Sequence, residues 1–182
     1  MHSPPRPVAK YPLTRIAGPY GHPFHPIAVI IPIGAWVSSV VFDLIAITQS
    51  SPAPFVMGAR ILILIGLIGA VVAAVLGFLD WLTIPRGTPA RATGTTHMIL
   101  NLIAMGIFLA SLLLRGDIFS GSGSGSGSGS SSEGVSTLAV ILSIGGLAIL
   151  SISGWLGGKL AHTFGVRVAD EQTQREGLEP LP

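Results

Sequence analysis

The sequence predicts an all-α fold, a four-helix transmembrane bundle with both termini cytoplasmic. Three observations predict it. Hydrophobic residues make up 49% of the chain and charged residues only 10%, against roughly 25% charged in an ordinary soluble domain. The apolar residues gather in four stretches, about Ile27 to Ile47, Ile61 to Leu79, Met98 to Leu114 and Val135 to Leu156. Each is close to the ~20 residues that cross ~30 Å of hydrocarbon as a helix. Finally, Arg6, Lys10, Arg15, Arg86, Arg91, Lys159, Arg167 and Arg175 fall on one side of these crossings, and only Arg60 and Arg115 on the other. Excess Lys and Arg mark the cytoplasmic side, so the chain is expected in the inner (plasma) membrane with the lipid bilayer as its solvent.

Taken in order, residues 1–26 are a proline-rich segment with basic charge and no apolar core, so they do not read as a cleaved signal peptide. Residues 27–168 form the membrane domain. Span one carries Pro32, Trp36, Ser39 and Asp43 at helical spacing, a face expected to look into the bundle. Pro52 and Pro54 then stiffen a short outer turn. Span two repeats small residues at Gly69, Ala73 and Gly77, and span four at Gly154 and Gly158, where helix backbones can approach closely. Span two ends at Asp80 and Trp81, the latter an interfacial anchor. Thr95 or Thr96 is the candidate cap of span three. The run 120–132 of alternating Gly and Ser can bury nothing and reads as a flexible loop, and the tail 169–182 has a composition that favours disorder.

A carboxylate inside a span costs about 2.5–3.5 kcal/mol at a helix centre and needs a partner. For Asp43 the expected partners are Arg60 and Arg115, at the same outer level, in ion pairs that hold three spans in register; a proton-relay role is the alternative. Asp80 is expected to pair with Arg86, Arg91 or Lys159, the alternative being that it accepts the ring N–H of His97 and fixes that imidazole.

The residues that point to chemistry are histidines. His22 and His25 lie in Gly21-His22-Pro23-Phe24-His25-Pro26, His97 sits near the start of span three with Asn101 one turn further on, and His162 follows span four. The count of crossings returns all four to the cytoplasmic level. The chain contains no cysteine, so any metal must be held by nitrogen or oxygen. Imidazoles converging from several helices are what a bundle needs to hold a haem iron or a single transition metal. The candidate cofactor site is therefore His22, His25, His97, His162, Asn101 and Asp80, with His25, His97 and His162 as metal ligands. No histidine lies at the outer level, so one haem b or one ion is the most the chain can hold. The opposing reading is that interfacial histidines only hydrogen-bond to headgroups or cap helices.

Hydrolase elbows, zinc-protease motifs and nucleotide-binding glycine loops are absent. Nucleic acid is not expected, because topology accounts for the basic residues.

Several motifs together carry a family resemblance. Gly-His-Pro-x-His-Pro at 21–26, Pro32 to Trp36, Phe42-Asp43, Asp80-Trp81 with Ile84 to Gly87, Thr96 to Met98 with Leu100-Asn101, and Ser153 to Gly158 resemble the bacterial predicted-membrane-protein family called domain of unknown function 2231. The resemblance covers about residues 20 to 168 and implies a four-helix membrane domain. Some relatives carry a Rieske-type iron–sulfur domain on the same chain, which by association implies membrane redox chemistry. In many relatives a His-Gly ending follows the Gly157-Gly158 region, whereas here the order is Ala161-His162-Thr163-Phe164-Gly165. Two functions are expected to compete: a redox subunit passing electrons to or from quinone or a redox protein, and a non-catalytic accessory subunit of a larger membrane complex.

Overall fold

The computed structural model describes residues 8–115 and 136–178; the Gly/Ser run therefore lies outside the described residues. Helices follow in the order α1 (Phe24–Ala28), α2 (Ile30–Thr48), α3 (Ala53–Leu82), α4 (Pro89–Leu113), α5 (Thr137–His162) and α6 (Glu171–Glu176), after single 3-10 turns at Val8–Lys10 and Arg15–Ala17. Phe24–Thr48 acts as one apolar rod, and with α3, α4 and α5 it makes, among the described residues, four helices long and apolar enough to cross a membrane.

The break at Val29 has a local cause. Pro32 has no N–H to offer the carbonyl of Ala28, four residues back, and its ring crowds that carbonyl. Pro26 does no such damage, because the first turn of a helix has no intrahelical acceptor for its N–H. Span three begins nine residues earlier than its apolar stretch. Thr88 caps α4 by accepting from Arg91 N at 3.1 Å, with Pro89 in the first turn. Thr95 and Thr96 lie inside the helix and return their hydroxyls to Arg91 O and Ala92 O.

The helices pack in the cycle α2, α3, α4, α5, with α2 also touching α5. Trp36 and Phe108 stack at the centre, ring centroids 4.2 Å apart and 9° from parallel, with Ile63, Ala70 and Leu112 around them. The glycines of α3 let α2 approach, since a Cβ on Gly66 would collide with the Trp36 indole and one on Gly69 with Ile31 and Pro32. Gly154 and Gly158 differ from expectation: a Cβ on either would meet open space. Large apolar side chains such as Val71, Leu109 and Ile144 are about half exposed on the outside. In water such a surface would aggregate, whereas in lipid it carries no penalty.

At one end of the bundle Asp43, fully buried, receives a two-pronged ion pair from Arg115, with Nη1–Oδ1 at 2.5 Å and Nη2–Oδ2 at 2.6 Å. Arg115 also donates to Ser111 Oγ and Ser143 Oγ, so α2, the end of α4 and α5 are tied together. Arg60 does not join. Its Nε is buried without a hydrogen-bond partner among the described residues, while Arg115 alone pairs with the two carboxylate oxygens.

The other end carries the N-terminal segment from Val8 and the chain after α5. After α5 the chain turns at Gly165 (φ +65) and Arg167 (φ +59), then passes beside the N-terminal segment. Arg167 N donates to Ala9 O at 2.9 Å, and Tyr20 Oη donates to Asp170 Oδ2 at 2.6 Å. Within the tail expected to be disordered, Glu171–Glu176 form α6, which Asp170 caps by accepting from Thr173 N; residues 179–182 lie outside the described residues.

Candidate functional site

The terminal end of the bundle encloses a cavity of about 180 Å³. Its walls come from the start of α1, the last turns of α3 and α5, the middle of α4 and the chain after Gly165. Nearly everything lining it is apolar. The polar exceptions are His25, His97, Asn101, Asp80 and Arg167, with Trp81.

The two histidines are mounted by the same device. His25 Nδ1 lies 2.8 Å from Ala73 O, and His97 Nδ1 lies 2.7 Å from Ser153 O. A helical carbonyl points toward the residue four places on, whose side chain ordinarily shields it. Those residues are Gly77 and Gly157. A Cβ on Gly77 would stand 2.9 Å from the His25 ring, and one on Gly157 would stand 3.1 Å from the His97 ring. Each imidazole thus uses a missing side chain to reach a carbonyl on a neighbouring helix, α3 for His25 and α5 for His97.

A carbonyl can only accept, so both rings carry their proton on Nδ1 and present Nε2 as a lone pair. For His97 that lone pair faces the Asn101 amide nitrogen at 3.0 Å, and Ser153 Oγ adds contacts to the same residue. His25 Nε2 has no such partner among the described residues. The two ring centroids are 6.2 Å apart with perpendicular planes.

The other sequence-selected histidines do not join this pair. His22 is exposed and its ring nitrogen lies 3.5 Å from Tyr20 O. His162 is exposed on the last turn of α5 and does not line the cavity. Among the described residues no group of three or more His, Asp or Glu side chains is arranged to hold a metal ion.

Asp80 pairs with none of the three cations expected for it. Arg91 stacks its guanidinium 3.3 Å from the centroid of Trp81 and donates to Trp81 O and Ile84 O; Lys159 lies over Trp155 and Phe164; Arg86 is exposed. The partner is Arg167, whose Nε lies 2.8 Å from Asp80 Oδ1. Neither atom completes a hydrogen bond, so the contact is an ion pair whose N–H points off the line to the oxygen. Asp80 does not orient His97 either, since Ser153 takes that role.

Arg167 is the residue that sequence reasoning missed. There it looked like one more basic residue near a membrane face. In the structure it is 4% exposed, lines the cavity, and donates from Nη2 to Ala17 O and Gly18 O at 2.9 and 3.0 Å. Its Nη1 is buried with no partner among the described residues. Its positive φ, a conformation that costs roughly 1–2 kcal/mol outside glycine, is held by these bonds and by its own N–H to Ala9. Ser153 was also missed as a site residue, having been read only as part of a helix motif.

The arrangement is chemically specific: an unoccupied imidazole acceptor, two guanidinium nitrogens of Arg167 without hydrogen-bond partners among the described residues, a compensating carboxylate and apolar walls. No curated protein and no solved structure matches the chain. The model of a predicted membrane protein family, DUF2231, matches residues 21–170, a stretch that includes all four long helices and every polar residue lining the cavity. The chain belongs to that family.

Proposed function

We propose that this protein is a small redox subunit of the cell's inner membrane, and that its working site is the cavity between His25 and His97, at the cytoplasmic end. The observation that carries the reading is the mounting of the two imidazoles. Both are fixed in one tautomer by helix carbonyls, at the cost of two helix side chains, and both face an otherwise apolar space. Histidines that bind metals characteristically hand their second nitrogen to a carbonyl in this way.

The size of the cavity bears on its occupant. An engineered cavity of about 150 Å³ holds one benzene, so the ~180 Å³ here suits a single ring or an ion with small ligands. A haem b, with four pyrroles around its iron, requires α1 and α4 to part. A single transition metal is favoured over haem by that comparison. A single transition ion would be held by His25 and by His97, the latter once Asn101 releases its Nε2, and would supply redox chemistry at that point.

The test is composition. Protein extracted with its surrounding lipid is to be analysed for iron, copper and zinc, for a Soret band, and for redox-active organic molecules in a solvent extract. A stoichiometric redox-active component of any of these classes is the expected result, and His25→Ala should lower its content. A preparation containing none, with the fold retained, would overturn the redox reading in favour of an accessory subunit of a larger complex.

A further inference from the structure

We infer that the cavity receives the ring of a lipid-soluble quinone or its quinol; this rests on the reading that the cavity is the working site. The argument starts from what its walls leave unsatisfied. Among the described residues Arg167 Nη1 is a buried donor with no partner, on a residue 4% exposed, and leaving such a group unpaired is costly. The charge of Arg167 is already balanced by Asp80 at 2.8 Å. What Nη1 lacks is therefore a neutral acceptor, such as a carbonyl or hydroxyl oxygen, and a second carboxylate would bring excess charge into an apolar space.

His25 supplies the complementary requirement. With its proton on Nδ1 and committed to Ala73 O, Nε2 can only accept, and an O–H is the group it fits. One molecule that offers an oxygen acceptor to Arg167 and an O–H to His25, fits beside Trp81 in about 180 Å³, and is otherwise apolar is a six-membered ring bearing oxygens on its edge. In the oxidised form the ring keeps the acceptor for Arg167 and gives up the O–H for His25.

The entrance fits the same ligand class. Phe78 and Leu102 line the cavity and are 46% and 53% exposed. Both belong to helices long and apolar enough to cross a membrane, so this side of the cavity opens to lipid. A ring carrying a hydrocarbon tail can enter from the bilayer and leave its tail there. A water-soluble ligand would have no reason to use that side.

The probe is an azido-substituted benzoquinone with a decyl tail, photoactivated on the full chain in lipid nanodiscs, with excess unlabelled decyl-benzoquinone as competitor. Labelling is expected on peptides from the end of α3, the middle of α4 and the segment after Gly165, displaced by the competitor. Ala74→Leu, which adds bulk to the cavity wall and leaves every polar lining residue in the sequence unchanged, should abolish displaceable labelling. His25→Phe keeps a ring over Gly77 and removes the acceptor, and should weaken competition by the reduced quinol about tenfold, the effect of one hydrogen bond. Labelling that the competitor does not displace, or that survives Ala74→Leu, would overturn the inference. If a stoichiometric metal is found on His25 and His97 and no displaceable label appears, the quinone inference falls and the redox site stands; if neither is found, both fall.

Discussion

Gly77 and Gly157 each create a place for an imidazole, and the structure makes their substitution informative. A Cβ at Gly77 would lie 2.9 Å from His25, so Gly77→Ala should push the ring off Ala73 O while leaving α3 intact or slightly more helical, since Ala is the better helix former by roughly 1 kcal/mol. Nitrogen-15 chemical shifts of the His25 ring should report loss of the fixed Nδ1–H tautomer; unchanged shifts would mean that the ring has another anchor. At the opposite end, Asp43→Ala strands Arg115 in a buried site. The expected loss is about 3–5 kcal/mol of stability, measured by unfolding in mixed detergent, with a smaller loss for Arg60→Ala. Asp170 makes a prediction about pH. The Tyr20 hydroxyl, and after it the Thr173 N–H, lower its carboxyl from 3.8 to about 2. A depressed carboxyl contributes stability above its unfolded pKa, and that contribution is lost as pH falls through the folded value. The contact between Tyr20 and Asp170 should therefore persist at pH 4 and release as the pH approaches 2, which tyrosine fluorescence or a Tyr20→Phe comparison can follow.

At the scale of elements, the central pair of α2 and α4 makes the strongest stability prediction. Phe108 is fully buried and stacked on Trp36, so Phe108→Ala should cost about 3–5 kcal/mol, again by detergent unfolding. How much of this was legible in the sequence follows from which forces act locally. The inward face of Pro32, Trp36, Ser39 and Asp43 was readable because helical spacing puts polar and bulky residues on one stripe, and all four are buried. The start of α4 was not, because residues 89–97 are too polar for the hydropathy pattern to include them, and only the cap at Thr88 with Pro89 announces the helix. The partnership of Asp43 with Arg115 was legible from crossing level; the exclusion of Arg60 was not, since it depends on which cation reaches both oxygens. His25 and His97 could be proposed from level alone. That they meet while His162 does not depends on the rotation of α5, and Gly157, not Gly154 or Gly158, marks the face that turns inward. Arg167 was invisible for a related reason: its role comes from two turns after α5 that carry it back over the bundle end.

For the whole molecule, the meeting of the described N-terminal segment and the chain after α5 at one end sets up a test of orientation. The chain has no cysteine, so single cysteines report cleanly. Basic residues concentrate at the terminal end, which the positive-inside rule assigns to the cytoplasm. In intact cells an impermeant maleimide should label Ser50→Cys, in the turn between α2 and α3, and should reach Gln172→Cys, on α6, only after lysis; the reverse pattern would place the cavity on the other face. The bundle also separates its two polar ends by chemistry. One end is built on a buried two-pronged ion pair that holds helices together, with Arg60 Nε beside it lacking a partner among the described residues. The other leaves a donor and an acceptor open in an apolar space, suited to a guest. The most direct test of that assignment is a dithionite-reduced minus oxidised difference spectrum, from the ultraviolet through the visible, of the wild type and His25→Ala extracted with native lipid. The account predicts a reducible component in the wild type that is diminished in a folded His25→Ala variant. A spectrum without any reducible component, or one that His25→Ala leaves unchanged, would contradict it.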